Sequence, residues 1–285
     1  MATRRVAQSS MALVLICVLS SSSAHGQAAS TQIYNTVKQK LLDGQPVVGG
    51  TVSSPDPNIY CAMANSGFDF LWIEMQHSPL GYQDVARMIW ACRGAPAIPF
   101  IRVPDATEGD IQKATDGGAL GIIVPMVATA EKMERAVRFA KFPPLGERSQ
   151  GGGQYRALWG DDYRDTANEN IMVVAMIEQL TGVAVVEEIA AVPGVDAVFA
   201  AASDLGSFSG KRQGDPEYEA LVTTIRDATL GAGLALGGPL GWANRNGFSF
   251  FQAADDTDLI RLGAEAALES AGSGLARIEG SQTQR

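Results

Sequence analysis

Histidine and cysteine are scarce in this chain: 285 residues contain two histidines and three cysteines. With so few ligands, and none at zinc-site spacing, a structural zinc centre is excluded. Clusters of lysine and arginine are missing as well, and the net charge is −9. An acidic surface without a basic patch argues against nucleic acid or an anionic membrane as partner. No short repeat or low-complexity tract is present. The apolar run from Met11 to Leu19 is too short to cross a bilayer as a mature helix.

What is there begins with an export pattern. Arg4 and Arg5 precede that apolar run, and Ser20 to Ser23 and small residues follow it. The order of charged, apolar and small segments predicts a signal peptide over residues 1–26, with cleavage after Gly26 or Ala28. The protein is therefore expected to be exported, periplasmic or secreted. The arginine pair leaves twin-arginine export open, and an unprocessed tail is the alternative to cleavage. Bulky Leu15 and Ile16 before Cys17 speak against a lipoprotein site. Removing Arg4 and Arg5, the only charged residues before Gln27, takes the charge from −9 to −11. The remaining residues, 27–285, suit one (β/α)8 domain of roughly 250 residues. Cys61 and Cys92 lie in apolar helical patterns and are expected as two buried, reduced thiols, with a disulfide as the alternative.

β-rich runs alternate with helical stretches, the pattern of a parallel sheet wrapped by helices. Strands are predicted at Pro46 to Val52, Phe70 to Glu74, Ile98 to Val103, Gly121 to Pro125, Val173 to Glu178, Ala197 to Ala201, Leu234 to Gly238 and Phe248 to Ala253. That set predicts an α/β fold, a (β/α)8 TIM barrel. Helices are predicted at Tyr82 to Ala95 and Ala130 to Phe139, and a leading helix from Thr31 to Leu42 would close the barrel bottom. The irregular stretch from Pro143 to Asn170, with Gly151 to Tyr155, is expected to cover the barrel mouth.

Polar residues with chemistry sit at or just past strand ends, where such barrels build their sites. Glu178 ends a buried run, so its charge needs a counter-charge or a metal. Asp204 follows the next strand at the same level. Two carboxylates on neighbouring strands can share one divalent cation, and oxygen-only ligation favours Mg²⁺, Mn²⁺ or Co²⁺. Each carboxylate alone has a plainer alternative, a helix cap or a pair with arginine. Arg102 can hold a substrate carboxylate or steady an enolate oxygen; its alternative is a salt bridge to Glu74 or Glu178. His77, the one histidine left after processing, is a proton carrier near neutral pH, with packing as its alternative. Asp116, before Gly117 and Gly118, can fix the tautomer of a histidine in its own or a second subunit, or be a solvated helix end.

These residues fall in an ordered set: Glu74-x-x-His77-x-Pro79, Arg102-x-Pro104, Asp116-x-Gly118-Ala119, Val124-Pro125-Met126, Phe142-Pro143-Pro144-x-Gly146-x-Arg148, Ile177-Glu178, Glu187-Glu188-Ile189 and Gly194-Val195-Asp196 before Ser203-Asp204-Leu205. The set resembles the HpcH/HpaI class II pyruvate aldolases, of the phosphoenolpyruvate-binding TIM barrels. The resemblance implies a divalent metal on Glu178 and Asp204 that chelates pyruvate, with Arg102, Ser203 and Asp204 at the substrate. It also implies proton transfer by His77, held by Asp116, and trimers or hexamers in which C-terminal helices are exchanged, Leu259 to Leu268 being the candidate contact. No Schiff-base lysine is needed, and no predicted strand carries one in its interior.

The chain departs from that pattern in places. Glu74-Met75-Gln76-His77 stands where Asp-Gly-Glu-His is common, Met176 where a glutamine is common, and Ala201-Ala202-Ser203-Asp204 where a Gly-Pro-Ala-Asp turn is common. Three readings follow: an aldolase cleaving a 4-hydroxy-2-oxo acid to pyruvate and an aldehyde; another enolate reaction such as decarboxylation, oxo-acid hydrolysis or thioester lysis; or an exported, non-catalytic carboxylate binder.

Overall fold

The computed structural model describes Met1, Ala2 and residues 32–270, so the predicted signal peptide lies almost wholly outside the described residues. The described residues 32–270 form one compact unit, and their eight parallel strands close on themselves in chain order. Helix α1 (Thr36–Leu42) leads into β1 (Val47–Val52), α2 (Pro57–Ala64), β2 (Phe70–Glu74), α3 (Tyr82–Ala91), β3 (Ile98–Arg102), α4 (Glu108–Asp116), β4 (Gly121–Val124) and α5 (Ala130–Ala140). Two short helices follow, α6 (Tyr155–Trp159) and α7 (Tyr163–Asn170), before β5 (Met172–Ile177). The rest is α8 (Leu180–Ala184), α9 (Val186–Ala190), β6 (Ala197–Ala200), α10 (Ala202–Ser209), α11 (Pro216–Gly231), β7 (Ala235–Pro239), β8 (Phe248–Asp255) and α12 (Asp256–Ser270). All eight predicted strands are present, within two residues at either end. Between β7 and β8 only one turn of 3-10 helix, Leu240–Trp242, replaces the usual crossover helix.

Apolar runs such as Phe70–Glu74 and Met172–Ile177 are buried along their whole length because the barrel covers one face and the helices the other. The interior is aromatic. Phe70 stacks on Phe250 at 4.6 Å and packs on Phe100 at 4.8 Å, and Trp72 meets Phe199 edge-on at 5.0 Å. Glycines on facing strands make the room: a Cβ on Gly49 would overlap the Phe70 ring, and one on Gly121 the Phe100 ring.

Helix α1 starts at Thr36, later than predicted, because Asn35 caps it by accepting from the N–H groups of Val37 and Lys38. The Asn35 amide also donates to the carbonyls of Leu120 and Asn170, just before β4 and β5, and so seals the N-terminal end of the barrel. The stretch from Pro143 to Asn170 is at that same end, which corrects the expectation that it covers the mouth. It joins α5 to β5, so the alternation of strand and helix brings it to the bottom. There Gln154 donates to Gly117 O and Trp159 to Gly118 O.

The two mature cysteines are also corrected. Cys61 on α2 and Cys92 after α3 form a disulfide, with Cα atoms 5.3 Å apart, a separation within the normal range. The two helices pack side by side, and helical periodicity within each could not show that their thiols meet.

Candidate active site

Side chains alternate along each strand, so residues two past a core aromatic also point inward, at the barrel mouth. Glu74 stands two past Trp72, and Arg102 two past Phe100. Register pairs them directly across β2 and β3. Arg102 Nη1 lies 3.2 Å from Glu74 Oε2, and Nη2 lies 2.8 Å from Glu178 Oε1. Both alternatives considered for Arg102 are thus realised at once. The three residues are buried, Glu178 to 1% exposure, so the cation between two anions satisfies the need for counter-charge.

Glu178 Oε2 accepts a hydrogen bond from the backbone N–H of Met126. Met126 has φ 52°, the one positive-φ residue other than glycine among the described residues. That turn after Pro125 aims its N–H at the carboxylate, and strain of this kind gathers at working sites. Burial raises the Glu178 pKa from its ordinary value. The charges of Arg102 and His77 and the Met126 bond oppose the shift, while Asp204 adds to it.

Asp204 lies in the first turn of α10, past the end of β6, rather than at a strand end. A carboxylate is favoured there by the helix dipole. Ser203, beside it, is exposed, and no side chain caps the helix. His77 is exposed in the loop after β2, and its N–H and that of Gln76 both donate to Glu74 Oε1. Glu74 therefore fixes both the arginine and the histidine-bearing loop. In the sequence Glu74 stood out as a motif position and as a salt-bridge partner for Arg102, not as the anchor of the His77 loop.

Asp116 is separate from this cluster. It ends α4, which runs back from the mouth, so it lies at the N-terminal end of the barrel. Its Oδ1 takes the Arg148 guanidinium at 2.9 Å and its Oδ2 takes Gln112 at 2.7 Å. Contact with His77 of the same subunit is corrected accordingly: the helix carries Asp116 the length of the barrel away. Arg148 is enclosed by Phe142, Tyr155 and Tyr163, its carbon 4.5 to 5.4 Å from their ring centres.

One buried lysine escaped the sequence reading. Lys141 has its pKa pushed down to about 8, chiefly by burial, which in a mouth would suggest a nucleophile. It lies instead at the bottom, donating to the carbonyls of Asn168 and Ile171.

Among the described residues no group of three or more His, Cys, Asp or Glu is placed to hold a metal ion. The pair Glu178 and Asp204 is a hard, oxygen-only donor set. Each Glu178 oxygen has one partner and a carboxylate oxygen can serve two, so one position on each stays open. Arg102 Nε and Gln76 Oε1 are buried without a partner, as expected where a ligand completes the hydrogen bonding. Glu178 and Asp204 would together suit a divalent cation.

The family model of HpcH/HpaI aldolase/citrate lyase matches residues 52–240. A hydroxypyruvate/pyruvate aldolase of Roseovarius nubinhibens is 33% identical over 197 residues, 68% of this chain and 76% of that protein. A 2-keto-3-deoxy-L-rhamnonate aldolase of Escherichia coli is 30% identical over 87% of this chain and 97% of its own length. An HpcH/HpaI aldolase/citrate lyase family structure from Burkholderia cenocepacia superposes with TM-score 0.76 at 30% identity, covering 83% of this chain and 99% of the other. The chain belongs to the HpcH/HpaI aldolase/citrate lyase family, and it is a lyase of the aldolase kind.

Proposed function

We propose that this lyase cleaves a 4-hydroxy-2-oxo acid to pyruvate and an aldehyde as a metal-dependent, class II enzyme. The observation that carries the reading is Glu178, buried at the mouth with an open position on each oxygen and Asp204 in its field. Glu178 and Asp204 would hold Mg²⁺, Mn²⁺ or Co²⁺, which supplies Lewis-acid polarisation of a 2-oxo group. Arg102, locked between Glu74 and Glu178, directs its buried Nε–H and the rest of its guanidinium at oxygen that becomes negative in the enolate. The uncapped N–H groups of the first turn of α10, at Ser203 and Asp204, suit the substrate carboxylate. His77, exposed above this cluster, carries the proton to and from the 4-hydroxyl.

The reading includes a homo-oligomer, trimer or hexamer. It is supported by Ile260, Leu262 and Leu268, which leave α12 with an exposed apolar surface. It also includes a single catalytic domain over residues 27–285 and export, supported by the signal pattern and by the Cys61–Cys92 bond, since disulfides persist in oxidising compartments.

The test is retro-aldol cleavage of a panel of hydroxy-oxo acids with each of the three metals, on the native protein and on Glu178→Gln. Activity and metal content are expected to fall together in the variant. Full retention of both overturns the reading. In His77→Ala, cleavage is expected to fall with metal retained.

A further inference from the structure

Towards the mouth, β1 and β8 carry a second polar group. Gln252 stands two residues past Phe250, and Thr51 two past Gly49 and opposite Trp72 in the register of β1 on β2, so both point inward. Thr51 is buried to 6% exposure, while Gln252 is partly exposed. The pairing of β1 with β8 slips here: Gly49 faces Gln252, but Thr51 faces Asp255. Such a bulge re-aims the side chains beside it. It brings Ala253 O within 2.9 Å of the Thr51 hydroxyl, which donates to it, and Gln252 Nε2 within 3.2 Å of the same hydroxyl oxygen.

This arrangement fixes the amide. The Thr51 proton is committed to Ala253, so Gln252 must offer its NH₂ side to Thr51, and its carbonyl points elsewhere. That carbonyl and the second amide proton are left as one acceptor and one donor. Asp256 holds the corner rigid: it is 1% exposed, and its Oδ2 accepts from the N–H groups of Ser53 and Ser54 just past Thr51. The neighbouring strand β7 contributes Pro239 here, two past Gly237 and opposite Gln252.

We propose that Thr51 and Gln252 form the specificity site for the aldehyde half of the substrate, and that they select a neutral, hydroxyl-bearing aldehyde. A hydroxyl is both donor and acceptor and matches the free carbonyl and N–H together. A carboxylate or phosphate brings acceptors only and meets the carbonyl with repulsion. The inference rests on the aldolase reading, because it needs the acceptor aldehyde to approach pyruvate in this mouth.

The experiment runs aldol addition of pyruvate to shape-matched pairs, glycolaldehyde with propanal and glyceraldehyde with butanal, alongside exchange of pyruvate methyl protons. The native enzyme is expected to prefer the hydroxylated member by about tenfold or more in kcat/KM, since a site built to bond a hydroxyl leaves polar groups unpaired with the analogue. In Gln252→Leu that preference is expected to fall to about threefold or less. Thr51→Val, nearly the same shape, serves as the second variant should the first fold poorly. Exchange by the native enzyme without hydroxyl preference, or a preference that survives in both variants, overturns this inference alone. Absence of exchange in the native enzyme overturns the aldolase reading, and the inference falls with it.

Discussion

Arg102 reaches from the end of β3 past β4 to Glu178 at the end of β5, and the two meet at 2.8 Å. One guanidinium thereby positions a carboxylate two strands away while its other arm holds Glu74 on β2.

Removing that cation strands two buried anions. Arg102→Met is expected to lower stability by about 3 kcal/mol or more, read as a shift in the urea midpoint at neutral pH. In a cycle with Glu178→Gln, the double variant should recover part of the loss, with a coupling of about 1–3 kcal/mol. An unshifted midpoint in Arg102→Met would mean that the carboxylates are not held as buried charges.

The raised pKa of Glu178 gives stability a definite direction with pH. The folded protein binds the proton more tightly than the unfolded chain, so this contribution is fully present below the ordinary value of 4.5 and is lost as pH rises through the folded value. Glu178→Gln should flatten that acid limb in denaturation measured across pH. Cation affinity, which needs the deprotonated form, should rise over the same window; a limb of unchanged slope in the variant counts against the assignment.

The lysine at the opposite end acts in the reverse sense. Lys141 is depressed to about 8 from 10.5, so the unfolded chain holds the extra proton between those values and stability rises with pH there. Lys141→Met is expected to abolish the rise while leaving the acid limb of Glu178 intact. Persistence of the alkaline rise in that variant would assign it to another group.

The Cys61–Cys92 bond closes a loop of 31 residues. Loop entropy assigns such a closure about 3–4 kcal/mol. Reduction, or the double change Cys61→Ala and Cys92→Ala, should lower the melting temperature accordingly. Equal melting with and without reductant would show that α2 and α3 are held by packing alone.

Inside the barrel, Gly121→Ala sets a methyl group into the Phe100 ring. A loss of about 1–3 kcal/mol is expected. A compensating Phe100→Leu should restore part of it, and the calorimetric transition reports both.

Strands were legible because each is a short apolar run between turn signals, and a residue pattern of period two survives in one dimension. The positions of Glu74, Arg102 and Glu178 at strand ends followed from the same pattern, whereas a salt bridge of Arg102 to one acid or the other was only an alternative there, and the structure shows both. Helical boundaries were less visible: Tyr82–Ala91 stops short of Ala95, since a helix end depends on capping groups as much as on apolar spacing.

By itself the sequence determined the barrel, its strand order and the strand-end positions of Glu74, Arg102 and Glu178, because burial and alternation are written locally. Only the tertiary structure decided the rest. It joined Cys61 to Cys92, sent Asp116 and the segment from Pro143 to Asn170 to the far end, and aimed Met126 N–H at Glu178. It also brought Thr51 and Gln252 together across a bulge. These are contacts between residues distant along the chain, fixed by how the barrel closes, and no local pattern encodes a distance across a closed sheet.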